Sequence, residues 1–189
     1  MADSSAVGEK ATAEERVNAL VPVVDSLVNV EEYVGKFADY SQASGKVEHE
    51  YKTTKMVQAN LMAIRERIIE SLPDLQNNLK VLDVLKKRKD TEKKFSTSFM
   101  LADQVYAEAE VAEVQNVCLW LGASIMAEFP VDEAIPFIKE KIEELTTKAA
   151  DLSEELAIIK KRLTTCEVNM ANVYNYGVRK RQQISAESK

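Results

Sequence analysis

His49 is the only histidine in the chain, and its two cysteines, Cys118 and Cys166, stand far apart. A lone imidazole brings one metal ligand or one base with no partner at useful spacing, so neither zinc chemistry nor acid–base catalysis assembles around it. Two separate thiols make neither a disulfide framework nor a metal cage. Cys166 also falls at an apolar-periodic position, where a thiol acts as a small apolar filler. There is no phosphate-binding glycine loop and no nucleophile elbow. The carboxylates are spread along helix exteriors, where they solubilise and set pairing. The sequence thus predicts no enzyme, no metal and no cofactor. What remains as working chemistry is the burial of regularly spaced apolar side chains.

The elements that position those side chains are two long arms. In the second, Ile135, Ile138, Ile142, Leu145, Ala149, Leu152, Leu156, Ile159, Leu163, Cys166, Met170 and Val173 follow each other at alternating steps of three and four. That spacing keeps one narrow apolar seam on a helix over many turns, and a helix so striped needs a partner helix. The first arm, from about Lys46 to Lys94, repeats Leu61, Ile68, Leu75 and Leu82 every seven residues, with Val57, Ile64 and Leu85 on companion positions. Ser71 and Asn78 interrupt its seam, with Leu72 and Leu79 beside them, and Pro73 predicts a kink. Lys86 to Lys89 read as a solvated basic helix end.

Between the arms the period becomes two. Val105, Ala107, Ala109 and Val111 alternate with Tyr106, Glu108 and Glu110. Val117, Leu119 and Leu121 alternate with Cys118 and Trp120, and Ile125, Ala127 and Phe129 with Met126 and Glu128. This is strand chemistry, with Gly122 marking a turn or bulge. Pro130 closes the region, Asp132 reads as the N-cap of the second arm, and Pro136 falls near its start. Residues 95–131 hold two hairpins, far more than a helical hairpin needs to reverse direction. Isolated hairpins are marginal in water and their open edges invite pairing, which predicts assembly with strands of other chains. The arms would then be antiparallel partners of roughly 70 Å at the α-helical rise.

Composition agrees: 46% hydrophobic residues but only 6% aromatic, with 30% charged, is the balance of aliphatic seams with charged flanks. A net charge of −6 disfavours a helical arm that binds RNA. No signal peptide and no membrane-length apolar run is evident, giving the expectation of a soluble, cytosolic protein. Residues through about Glu15 lack period and predict disorder. Pro22 keeps Val21 to Val24 out of a helix, Leu27 to Phe37 reads as a short piece packing on something larger, and Ser41 to Gly45 as a break before the first arm.

Three motifs then carry a resemblance. They are Phe99-Met100-Leu101-Ala102-Asp103-Gln104-Val105-Tyr106, Cys118-Leu119-Trp120-Leu121-Gly122-Ala123, and Thr164-Thr165-Cys166-Glu167-Val168-Asn169-Met170-Ala171-Asn172-Val173-Tyr174-Asn175. With the order helix, hairpins, helix, the chain resembles the prefoldin subunits from about Val23 to Arg181, and room for two hairpins resembles their alpha type. The resemblance implies an α+β, mainly α fold: a long antiparallel two-helix coiled coil with two β-hairpins inserted between the helices, assembling into an oligomeric β-barrel platform. Its divisions would be a flexible segment 1–40, helix 1 at 46–94, hairpins at 95–131, helix 2 at 132–183 (one domain over 41–183), and a disordered tail 184–189.

The resemblance further implies a heterohexamer of two alpha-type and four beta-type subunits. It would bind non-native chains, notably nascent actin and tubulin, at its coil tips without ATP and deliver them to the cytosolic group II chaperonin. The location implied is cytoplasmic, with the nucleus as a second one. On this mapping Val105, Tyr106, Val111, Leu119, Trp120, Leu121, Ile125 and Met126 supply assembly strands. Tyr51, Met56, Met170, Val173, Tyr174 and Tyr176 belong to the client-binding tip. Met170 and Val173 equally read as the end of the seam, while Tyr176 lies off its register. Gly177 suggests that the helix ends soon after, leaving Arg179, Lys180 and Arg181 on a mobile basic tail that could meet an acidic chaperonin surface. The competing reading is a structural adaptor coiled coil that binds another helical protein.

Overall fold

A computed structural model describes residues 11–91, 94–111 and 113–187. In chain order it contains α1 (Ala13–Leu20), α2 (Val30–Gly35), α3 (Tyr40–Thr91), β1 (Phe95–Ala102), β2 (Val105–Val111), β3 (Asn116–Gly122), β4 (Ile125–Pro130) and α4 (Val131–Glu187). The two long helices and two hairpins are those the periodicities predict. The chain divides into two compact units, one of residues 67–149 and one of 1–66 with 150–189.

In the first of these, α3 contributes Leu75, Leu79 and Leu82 to a core with Val131, Ala134, Ile135, Ile138 and Ile142 of α4. The inner face of the second hairpin closes it through Val117, Leu119 and Phe129. β1 pairs antiparallel with β2, and β3 with β4, as two separate two-stranded sheets. Ala123 and Ser124, both at positive φ, form the two-residue turn between β3 and β4, and Gly122 at φ 91° carries the adjoining irregularity. Two consecutive positive φ values match the right-handed twist of the strands. Helix α4 starts at once after β4, so Asp132 lies inside its first turn and is not its N-cap. The carboxylate instead takes Lys89 at 2.5 Å and Lys86 at 3.3 Å, so the basic run is not simply solvated.

In the second unit α3 and α4 run antiparallel. Tyr40 meets Gly177, Thr54 lies beside Cys166 with its hydroxyl donating to the Glu50 carbonyl at 2.8 Å, and Arg65 Nε donates to Ser153 Oγ at 2.8 Å. Leu152, Ile159, Cys166 and Val173 are buried at heptad spacing, as the seam requires. Pro73 sits within an uninterrupted α3, exposed to solvent.

Three boundaries differ from expectation. Ser41 to Gly45 is no break: α3 begins at Tyr40, and Ala43 and Val47 are buried where its seam continues. Gly177 does not end α4, which continues to Glu187 and so takes in most of the expected tail. Within the segment 1–40, expected to be flexible, residues 11–37 carry defined structure. There a capping box between Thr12 and Glu15 starts α1, Val17 and Val21 are buried, and an extended stretch leads to α2. Residues 1–10 and 188–189, where disorder was expected, lie outside the described residues.

Candidate functional site

The end of the second unit where α3 begins is built from three pieces. Asn29 caps α2 by accepting the Glu32 amide, and α2 delivers Val34 and Phe37 beside Tyr40. From α4 come Tyr176, Gly177, Lys180, Arg181 and Ile184. Together with Ala38 and Asp39 they line an open cavity of about 430 Å³, mostly apolar, with the cations Lys180 and Arg181 and the single carboxylate of Asp39 among its lining. Gly177 is buried, and a Cβ there would stand 2.5 Å from Cζ of Tyr40. The glycine is a close-approach residue that lets the Tyr40 ring lie on α4.

Aromatic rings and cations pair in and beside this cavity. Tyr33 and Phe37 are 5.2 Å apart by centroid, Lys46 lies 5.5 Å above the Phe37 ring, and Lys180 5.6 Å above that of Tyr176. The Tyr176 hydroxyl, 3.2 Å from Lys180 Nζ, pushes that ammonium's pKa up. The Tyr33 hydroxyl is buried with no hydrogen-bond partner, and burial, with the Glu50 carboxylate, raises its pKa. Such a surface can hold an apolar or aromatic segment of another chain and tolerates water when empty.

Of the residues expected at the tip, only Tyr176 lines this cavity. Val173 is buried and completes the seam; Met170 beside it is half-buried. Tyr174 is well exposed on another face. Tyr51 and Met56 lie eleven and sixteen residues beyond the start of α3, roughly 16 and 24 Å along it at the helical rise. Lys55 covers the Tyr51 ring at 5.4 Å, and Met56 is exposed. Phe37, Tyr40 and Ile184 are not among the expected tip residues, because the sequence pattern places a break at Ser41 and a helix end near Gly177. The signal that would have found them is the buried pair Ala43 and Val47, which extends the α3 seam backwards.

The segment before α2 is tied to α4 by residues spaced seven apart. Arg16 Nε donates to the buried Glu155 at 2.5 Å, with Asp151 at 3.8 Å. Arg162 donates to the Val21 carbonyl at 2.7 Å and to Asn18. Asn169 accepts the Leu27 amide and donates to the Asp25 carbonyl, both at 2.8 Å. The Glu155 carboxylate raises the Arg16 pKa.

In the other unit the hairpins carry the remaining expected residues. Leu119 is half-buried on the core-facing side, and Val111 is half-buried opposite Phe95. Val105, Tyr106, Trp120, Leu121, Ile125 and Met126 are all exposed, together with Phe99, Met100 and Leu101. Register sets Trp120 opposite Met126 and Tyr106 opposite Met100. These nine large side chains leave both hairpin ends with exposed apolar surface. Cys118 is exposed opposite Glu128, while Cys166 is buried and its thiol is pushed up in pKa chiefly by that burial. Among the described residues no cluster could hold a metal, and no helix is long and apolar enough to cross a membrane.

Two long helices joined through two hairpins define a prefoldin-type chain. The prefoldin subunit family profile matches residues 51–176, and the chain belongs to that family. Within the family it is similar to prefoldin subunit 3 of Homo sapiens, 30% identical over 96% of this chain and 93% of that one. Prefoldin subunit 3 of Drosophila melanogaster is 36% identical over 72% of this chain and 69% of that one. A chain from the cryo-EM structure of filamentous PFD from Methanocaldococcus jannaschii is 21% identical, with a TM-score of 0.49 over 64% of this chain and 94% of its own.

Proposed function

We propose that this prefoldin co-chaperone subunit assembles through its two hairpins into a heterohexamer of two alpha-type and four beta-type chains. The complex holds non-native polypeptides, notably nascent actin and tubulin, without ATP. It passes them to the cytosolic group II chaperonin, in the cytoplasm with the nucleus as a second location. The chain acts by binding, not by catalysis.

The observation that carries the assembly is the cluster of exposed apolar side chains on both hairpins, which two-stranded sheets cannot bury alone. The holding role is supported by the aromatic and cationic cavity of Phe37, Tyr40, Tyr176 and Ile184. An adaptor coiled coil would need neither feature. The test mixes the chain with the other prefoldin subunits and measures hydrodynamic mass, then aggregation of denatured actin in the absence of ATP. The expected result is a hexamer that suppresses aggregation, and that loses suppression but keeps its mass when Phe37→Ser and Tyr176→Ser are combined. A chain that stays monomeric beside the other subunits refutes the assembly.

A further inference from the structure

Between Pro22 and Val28 the chain runs along α4 with none of its side chains buried: Pro22, Val23, Asp25, Ser26 and Val28 are exposed, and Val24 and Leu27 half-buried. Beside that partial burial, the hydrogen bonds that hold this stretch are made by its main chain. Arg162 donates to the carbonyls of Val21 and Pro22, at 2.7 and 3.4 Å. Asn169, itself only 3% exposed, accepts the amide of Leu27 and donates to the carbonyl of Asp25. A carboxamide that takes one amide and gives to a nearby carbonyl reads extended backbone and is blind to side chains. The contacts that recognise this segment as the chain's own lie upstream, in the plugs Val17 and Val21, the Arg16–Glu155 pair and the Asn18–Arg162 bond.

We infer that Arg162 and Asn169 form a binding site for the extended main chain of a non-native polypeptide, and that the backbone from the Val21 carbonyl to Val28 occupies it in the resting state as an internal mimic. The inference rests on the holding function proposed above. The division of labour supports it: sequence-specific contacts dock α1, and sequence-independent ones hold the stretch that follows. Tethering gives the segment a high effective concentration, so it lowers the apparent affinity for a client by the fraction of time it is seated. The site sits on α4 one heptad before Tyr176, so a client seated there continues naturally into the aromatic cavity.

The test uses the full chain assembled with the other prefoldin subunits and, as probe, reduced and carboxymethylated lactalbumin carrying a fluorophore. Amide exchange over residues 23–28 is followed with and without probe, and affinity is read by anisotropy. Saturating probe is expected to speed exchange at Leu27 at least about tenfold, the loss of one good hydrogen bond. Lifting the segment with Val17→Asp plus Val21→Asp, or with Arg16→Glu, which leaves the apolar packing alone, tightens probe binding about fivefold to tenfold. Adding Asn169→Ala removes that gain. Probe that binds while exchange at Leu27 stays unchanged overturns the inference and leaves the holding function standing, and this measurement needs no variant. Unchanged affinity in both lifted variants, with faster exchange over 23–28 proving release, overturns it as well. A wild-type complex that binds no probe removes the holding function and the inference together.

Discussion

Substituting Gly177 by alanine tests the tip directly, because two effects of known sign oppose each other there. In a helix interior the change from glycine to alanine favours the helix by about 1 kcal/mol. Here the new methyl would lie 2.5 Å from Cζ and 2.6 Å from Cε2 of Tyr40, against ordinary carbon contacts of about 3.5–4.0 Å. The ring must move by about 1 Å or more, and overpacking of this kind costs about 1–3 kcal/mol. The net effect expected for Gly177→Ala is therefore between neutral and about 2 kcal/mol destabilising. With Tyr40→Ala in place the clash is absent, and the same substitution should stabilise the end of α4 by about 1 kcal/mol. The assay is hydrogen exchange of the amides from Gly177 to Arg181 in the assembled complex, where protection reports local opening. The double-mutant cycle should give a coupling of about 1–3 kcal/mol, with the effect of Gly177→Ala weaker or reversed when Tyr40 is present. Equal stabilisation in both backgrounds would refute the close-approach argument and leave Gly177 an ordinary helix-interior glycine.

Three further outcomes are expected of the same structure. Trp120 is the only tryptophan and is 63% exposed, so its fluorescence should shift to the blue when the chain joins the other prefoldin subunits; unchanged emission in a complex of proven mass would remove the hairpin from the interface. Iodoacetamide at pH 8 should label the exposed Cys118 and spare Cys166, whose thiolate is disfavoured by burial, until urea opens the coil. The Asp132 carboxyl is held below its ordinary value, first by its bond to Lys89 and then by Lys86. Its contribution is thus present above the unfolded range near about pH 4 and is lost as pH falls through the lower folded value. Asp132→Asn should lower the urea midpoint slightly at pH 7, and the two proteins should converge in acid; a constant difference down to about pH 2 would refute the pairing.

The arms and hairpins were legible because each is encoded by local periodicity. Steps of three and four from Ile135 to Val173 allow one buried stripe on a helix, and the alternation through Val105–Val111 and Val117–Leu121 only suits strands. The ends of the arms were not legible. Gly177 carries the sequence signature of a terminator, yet its missing side chain serves the ring of Tyr40, which lies far away in the chain. With the first arm read from about Lys46, the sequence places the tip at Tyr51, Met56, Met170, Val173, Tyr174 and Tyr176, and of these Tyr176 lines the cavity with Phe37, Tyr40 and Ile184.

The segment 11–37 shows the same limit from the other side. Its composition lacks period, and besides the buried Val17 and Val21 it is held by Glu155, Arg162 and Asn169, whose seven-residue spacing becomes meaningful only once a partner lies against them. By itself the sequence determined two seams, two hairpins and the need for other chains, because burial of a stripe or a pleat depends on spacing alone. Only the tertiary structure decided where the coil ends and what lies along it. Those outcomes depend on contacts between residues distant in the chain, and no local pattern records which will meet.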